Sequence, residues 1–463
     1  MPTSLRHPKT LLLLFALFLS ELALIVLVIA IYMKGERPFF IFLSSKPGVS
    51  FLVAIGVLLG AVAVITQQYL ASARTLTHHF RRVAVISLLT VTLFLLIVEI
   101  TLRANAISSQ ENEVLLGTVL RPLDWSKVAL HHRELISHPS GDLSYLVHDA
   151  ILGWTVGPDR AKADTLYSTD SSGIRIPHSD SGLTKHGEKI RIALLGDSYT
   201  FGLEVAYEDT WGYVLEKSLG SEFQVLNFGV PGYGVDQEFL RFERDVRLWK
   251  PRIVMFAINA GAVRRTMMVY TFLSHRDWNY PFSKPRFIIR DGGVQEMNVP
   301  ALSPETIFSK ASISELPFLE YEVGYKESDW QYKPYHVSFL ARLFVSYYPS
   351  WSRPNPEVSD DALVAVNTSI LKAFLQSAAQ AGAIPIVVYL PAPIELEKAI
   401  SPVGTGRQVL QKADIEPADL VPCLLKSPPA DRLVASGNHY SPQANAAIAD
   451  CLRSVVNEVL AVQ

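Results

Sequence analysis

The chain has 463 residues, 49% of them hydrophobic, with 42 Lys and Arg against 44 Asp and Glu. That length accommodates two or three folding units with a sizeable core. A formal net charge of -2 lacks the basic field that nucleic-acid binding needs, so no nucleic acid is expected as a partner.

The hydrophobicity is concentrated at the amino end. Apolar runs extend from Leu11 to Met33, from Phe51 to about Thr66 and from Val83 to about Leu102. Roughly 20 apolar residues cross a bilayer, so residues 1–104 are predicted to be a membrane anchor with three transmembrane helices. A cleaved signal peptide would explain only the first run, which is too long for a signal core and lacks a small-x-small cleavage site. Arg6, Lys9, Arg74, Arg81 and Arg82 fall on one side of such an anchor and Lys34, Arg37, Lys46 and Arg103 on the other. This slight excess on the amino-terminal side predicts a carboxyl domain outside the cytoplasm. Glu21 and Glu99 sit within the first and third runs. A carboxyl group there is costly and is either functional or paired. Glu99 is read as facing a neighbouring helix, and Glu21 is left open.

Residues 105–185 are polar and carry turn signals such as Asp170-Ser-Ser-Gly173. They read as a connector packing on the catalytic unit. From Ile190 onward, strand and helix patterns alternate. A strand at Ile192–Leu195 precedes a helix from Thr210 to Leu219, capped by Asp209 or Thr210 and stopped by Gly220. A strand at Gln224–Asn227, a helix from Asp236 to Trp249 and a strand at Ile253–Ile258 follow. Later come a helix from Asp361 to Ala381, a strand at Ile384–Leu390 and a last helix from Pro442 to Leu460. This order predicts an α/β fold, a parallel sheet covered by helices on both faces in three α/β/α layers. The catalytic domain is read as residues 186–463. Between about 262 and 360 the alternation gives way to an insertion rich in aromatics, among them Trp278, Tyr280, Trp330, Tyr332 and Tyr335. These form a satellite core or a platform for stacking sugar rings. Within the insertion, a helix is predicted from His336 to Tyr348.

Chemistry concentrates at Arg191-Ile-Ala-Leu-Leu-Gly-Asp-Ser-Tyr-Thr-Phe-Gly202. The apolar strand ends at Gly196, and Ser198 falls where strand gives way to helix. Such an edge exposes a side chain beside backbone N–H groups able to hold a negative oxygen. That suits a serine nucleophile attacking an ester. Three further pieces follow in order: Asn227-Phe-Gly-Val-Pro-Gly232-Tyr-Gly234, Phe256-Ala-Ile-Asn259-Ala-Gly261, and Asn438-His-Tyr-Ser441-Pro442. Taken singly, each has an ordinary reading: a polar turn, a Pro-Gly turn, a strand cap, a surface histidine.

Taken together, the four pieces resemble the blocks of the SGNH (GDSL-type) esterases and their acetyl-transferring relatives, over about residues 145 to 463. The resemblance implies Ser198 as nucleophile and His439 as general base. It implies an oxyanion hole from the backbone N–H groups of Ser198 and Gly232 and the side-chain amide of Asn259. Ala257 and Ala260 stand where the family has Gly and Asp. Ser436 and Gly437 stand where it keeps the aspartate that orients the histidine. The orienter is therefore unassigned: Asp431, or no carboxylate at all, leaving a Ser-His dyad steered by a backbone carbonyl.

The resemblance implies a membrane-anchored esterase removing O-acyl groups, O-acetyl above all, from a carbohydrate, with no cofactor. It implies a multi-pass protein of the cell inner membrane with a periplasmic catalytic domain. The expected partners are the lipid bilayer and an acylated carbohydrate. One alternative is an O-acyltransferase served by a separate membrane acyl-donor protein. Another is a non-catalytic envelope-assembly or glycan-binding module, which the losses at Ala257, Ala260 and Ser436 favour. Cys423 and Cys451, the only cysteines, could pair in an oxidising compartment or remain buried thiols. No Cys-x-x-Cys or Cys/His cluster suggests a metal.

Overall fold

Successive residues of a strand face opposite sides. Ile192 and Leu194 enter one buried cluster while Ala193 and Leu195 enter another, so this strand must be covered on both faces. The computed structural model describes residues 77–109, 112–160, 166–177, 183, 189–291, 293–347, 356–398 and 404–461. The first two apolar runs and Glu21 lie outside the described residues. The chain divides into two compact units, Met1–Val128 with Glu327–Ser352, and Ala129–Lys326 with Arg353–Gln463.

The second unit is built on a seven-stranded sheet. Its strands are β1 (Ser168–Thr169), β2 (Arg175–Ile176), β3 (Ile190–Leu195), β4 (Phe223–Asn227), β5 (Ile253–Ile258), β6 (Ile384–Tyr389) and β7 (Ala418–Asp419), in the order β7-β6-β5-β3-β4-β2-β1. The five strands from β3 to β7 run parallel. β2 runs antiparallel to β4, and β1 antiparallel to β2. The sheet is therefore mixed, which corrects the expectation of a wholly parallel one. The cause is local. The Asp170 carboxylate accepts from the N–H groups of Ser172 and Ile174, each at 2.9 Å. That Asx-type turn folds the chain back two residues after β1, and the stretch read as a connector supplies two edge strands.

The helices Val235–Arg244 and Asp360–Gln380 cover one face, where Phe374 packs on Phe256 and Phe242. Trp211–Leu219 and Pro442–Ala461 cover the other. Thr210 is the cap of its helix, accepting from the Tyr213 N–H at 3.3 Å. The helix expected from Asp236 to Trp249 instead ends at Arg244 and continues as a 3₁₀ turn, Val246–Trp249. A disulfide joins Cys423, in the helix Val421–Leu425, to Cys451 in the last helix.

Among the described residues, one helix is long and apolar enough to cross a membrane, Asp360–Gln380. Its Leu363, Val366, Ile370, Leu371 and Phe374 are buried against the sheet, so it is a core helix. The third apolar run lies in the helix Thr77–Asn105. Three membrane spans are thus not seen in the described residues. The Thr77–Asn105 helix does expose Leu89, Val91, Leu93, Leu96 and Ile100.

In the first unit, Val98 and Leu102 of that helix pack with Leu115, Leu120 and Phe339. Glu99 accepts from the backbone N–H groups of Phe339 at 2.8 Å and Leu340 at 3.2 Å, and from the Ser338 hydroxyl at 2.9 Å. It caps the helix Phe339–Tyr347, satisfying donors that a helix start leaves free. The helix expected from His336 therefore starts three residues later, behind a 3₁₀ turn at Pro334–Val337.

Candidate active site

β3 ends at Gly196, whose φ is 156°. A Cβ there would stand 2.1 Å from Thr200 Oγ1 and 3.2 Å from the Ala257 carbonyl oxygen, so the sharp exit from the strand requires glycine. Asp197 caps the short helix Ser198–Phe201 by accepting from the Tyr199 N–H at 3.0 Å. Its other oxygen accepts from the Asn259 amide at 2.8 Å and from the Arg265 guanidinium. Asp197 is buried, and these donors compensate a charge that would otherwise be costly there. Arg265 also donates to the Tyr233 carbonyl at 2.7 Å, tying the third sequence block to the first and second.

Ser198 opens the short helix, half-buried, with its Oγ 3.0 Å from His439 Nε2. The loop carrying His439 is pinned at several points. Leu433 and Tyr440 form an isolated bridge, and the His439 carbonyl accepts from the Val434 N–H at 2.9 Å. The Tyr199 hydroxyl donates to the Asn438 carbonyl at 2.9 Å, and Tyr440 donates to the Pro391 carbonyl at 2.6 Å. Ser441 caps the last helix, accepting from the Ala444 N–H at 3.1 Å.

The other imidazole nitrogen, Nδ1, lies 2.5 Å from Glu204 Oε2. The same oxygen accepts from the Ser436 hydroxyl at 2.9 Å. The group beside Nδ1 is therefore Glu204. Asp431 is not that group; its main-chain carbonyl accepts from the Ser441 hydroxyl. Nor is His439 left to a backbone carbonyl as a two-residue dyad would require. Glu204 sits at a left-handed position, φ 69°, in the turn after the Ser198 helix. Its N–H donates to the Tyr167 hydroxyl at 2.6 Å. The buried Arg175 guanidinium holds that turn by donating to the carbonyls of Phe201, Gly202 and Val205. Sequence reasoning missed Glu204 because 235 residues separate it from His439. The available signal was indirect: a histidine lacking its expected carboxylate must find another.

Gly232 has φ 82°, and a Cβ there would meet Trp278, Trp154 and Tyr280 at 3.1–3.4 Å. The backbone N–H groups of Ser198 and Gly232 donate to nothing among the described residues. Asn259 Oδ1 accepts from the Ala262 N–H at 2.8 Å and caps the helix Ala260–Arg265. It is thus a strand-end cap, and one N–H of its amide is committed to Asp197 while the other is not. Asn227 couples the first two blocks, donating to the Thr200 carbonyl at 2.8 Å and accepting from the Gly229 N–H at 3.0 Å.

Two titratable groups flank this network. Glu238 is fully buried without a hydrogen-bond partner among the described residues. Burial, then the charge of Asp197, raise its pKa well above the usual carboxylate range. His275 stacks on Trp278 with ring centres 4.0 Å apart. Burial, then Arg265, lower its pKa to about 4. No cluster of three or more His, Cys, Asp or Glu suited to a metal occurs among the described residues. The geometry offers a hydroxyl, an imidazole and a carboxylate in one line, the arrangement that moves a proton off a serine.

No protein-family model matches the chain, and no curated protein matches it. Solved structures do. A lipase/acylhydrolase from Enterococcus faecalis is 13% identical, with 58% of this chain and 95% of that one aligned and a TM-score of 0.31. An acetyl xylan esterase is 15% identical over 58% of this chain and 100% of its own, with a TM-score of 0.31. An alpha/beta hydrolase enzyme from the metagenome of Lake Arreo, Spain, is 13% identical over 59% of this chain and 97% of its own, with a TM-score of 0.31. Overlaps this loose leave the reading of the site to its own geometry.

Proposed function

We propose that this chain is a serine ester hydrolase in which Ser198 is the nucleophile, His439 the general base and Glu204 the carboxylate that orients it. The observation carrying this reading is the line from Ser198 Oγ through His439 to Glu204, with contacts of 3.0 and 2.5 Å. Glu204 holds the proton on Nδ1, leaving the Nε2 lone pair facing the serine. Nε2 takes the Oγ proton as Oγ attacks the ester carbonyl. The backbone N–H groups of Ser198 and Gly232 and the uncommitted N–H of Asn259 stabilise the oxyanion. The imidazolium returns the proton to the leaving alcohol, and an acyl-serine remains. Water then gives a proton to His439 as it attacks the acyl carbonyl, and the imidazolium returns that proton to Ser198 Oγ as the acid leaves. No metal or organic cofactor enters these steps.

The substrate is read as an O-acyl, and above all O-acetyl, group on a carbohydrate. The aromatic rings beside Gly232 support this, with Trp278 only half-buried. The protein is read as a multi-pass inner-membrane protein with its catalytic unit in the periplasm. The apolar runs and the Cys423–Cys451 bond, which an oxidising compartment sustains, support that placement. Glu204 supplies the carboxylate missing at 436 and so weakens the non-catalytic alternative. Acyl transfer by the same acyl-serine would appear as acetylated oligosaccharide in place of free acetate. Ser198→Ala is expected to lower turnover of a short-chain aryl ester by several orders of magnitude with the fold intact. Undiminished hydrolysis by the purified variant would remove Ser198 from its role.

A further inference from the structure

The helix Phe339–Tyr347 buries Phe339 and Arg342 yet also presents apolar side chains outward. Arg342 is its buried charge, 8% exposed. It pairs with Glu113 and donates to the Arg121 carbonyl at 2.8 Å. The outward positions are apolar: Val337, just before the helix, is 64% exposed, Leu340 is 39% exposed, and Phe344 is exposed as well. Leu340 and Phe344, four residues apart, share one face of the helix, and Val337 precedes it on the approach. An apolar stripe facing out beside an ion facing in marks an interaction surface.

The stripe continues an apolar surface. Leu93, Leu96 and Ile100 are exposed on the helix Thr77–Asn105, and Glu99 of that helix caps the Phe339–Tyr347 helix directly. Arg103, one turn further on, donates to the Val337 carbonyl at 2.8 Å. The cap fixes the depth of the second helix relative to the first. From Glu99 to the helix end at Asn105 the axis rises about 9 Å at 1.5 Å per residue. That is comparable with the polar layer on one side of a bilayer, several ångströms deep. Tyr332 and Tyr335 are exposed on the approach to the helix, as tyrosines are at membrane–water boundaries.

We propose that the segment from Tyr332 to Phe344 is an interfacial element. It lies along the phospholipid leaflet from which the Thr77–Asn105 helix emerges, with Val337, Leu340 and Phe344 at the acyl boundary. The partner is the bilayer surface. This rests on the proposed membrane span, and the test separates the two. The full chain is placed in vesicles of phosphatidylethanolamine and phosphatidylglycerol. Nitroxide labels are attached at Leu95→Cys, Val337→Cys, Leu340→Cys and, as an exposed control, Leu248→Cys. The native cysteines are joined to each other, so each variant offers one reactive thiol, and ester turnover reports folding.

Labels at 337 and 340 are expected to meet dissolved oxygen more than a water-soluble nickel chelate, at shallower depth than the label at 95. The control label should show the reverse preference. Chelate access at 337 and 340 equal to the control, with 95 immersed, would overturn the interfacial element and leave the span. Chelate access at 95 as well would overturn both.

Discussion

Glu204 Oε2 receives two donors, His439 Nδ1 and the Ser436 hydroxyl, and this sharing decides what substitutions there do. Glu204→Gln keeps the size and removes the charge. Turnover should fall by up to about 10⁴, the scale found where a triad carboxylate sets the histidine tautomer. Asp431→Asn should leave turnover near the parent value, because only the main chain of Asp431 reaches this region. Ser436→Asp restores an acid at the familiar sequence position, but beside one already in place. A second carboxylate near the imidazole favours its protonated form. Neutral turnover should therefore show no gain. A clear gain would show that Glu204 is not the orienter. The placement of Ser198, Gly232, Asn259 and His439 in this candidate site, at strand ends or ahead of helix starts, was legible in the sequence because Gly, Pro or an apolar run marks each. Glu204 was not, because it belongs to a turn whose shape Arg175 and Tyr167 impose from a distant segment.

At the scale of elements, the loop at Gly232 and the segment around Trp278 constrain each other. Gly232→Ala places a methyl group 3.1 Å from Trp278 at φ 82°. The left-handed conformation alone costs a non-glycine residue about 1–2 kcal/mol, so thermal unfolding should occur earlier and turnover should drop. His275, stacked on that tryptophan, has its pKa lowered from 6.5 to about 4. The unfolded chain therefore takes up this proton first on acidification. Its effect is to lower stability as pH falls from 6.5 towards 4, and to add nothing further below that. His275→Gln should lose less stability than the parent across that window in melts at stepped pH, and equal losses would contradict the assignment. The Cys423–Cys451 bond spans 28 residues, and closing such a loop stabilises by about 3–4 kcal/mol. Cys423→Ser should show that loss in denaturant unfolding, as the parent should under reducing conditions. The strands β3 to β6 and three of their four helices were readable to within one or two residues, since apolar runs and Gly or Pro stops define them, whereas the helix expected to reach Trp249 ends at Arg244. β1 and β2 are two residues each, too short to carry a period, and their edge pairing depends on the Asp170 turn.

At the scale of the molecule, the proposal puts the carboxyl end outside the cytoplasm. A reporter fused to the carboxyl end should be active only in an extracytoplasmic form, and a cytoplasmic signal would reverse the orientation. Glu99 shows how far the sequence could go here. A carboxylate in an apolar helix pointed to a partner, but the partner is a helix start some 240 residues later. The central claim is an activated serine, and covalent trapping tests it most directly. The purified chain, solubilised in mild detergent, is treated with a serine-directed phosphonate ester and the adduct is located by peptide mass mapping. One adduct on Ser198 is predicted, forming rapidly in the parent, far more slowly in Glu204→Gln, and not at all in His439→Ala. A folded parent that takes no label, or takes it on another residue, would contradict the account.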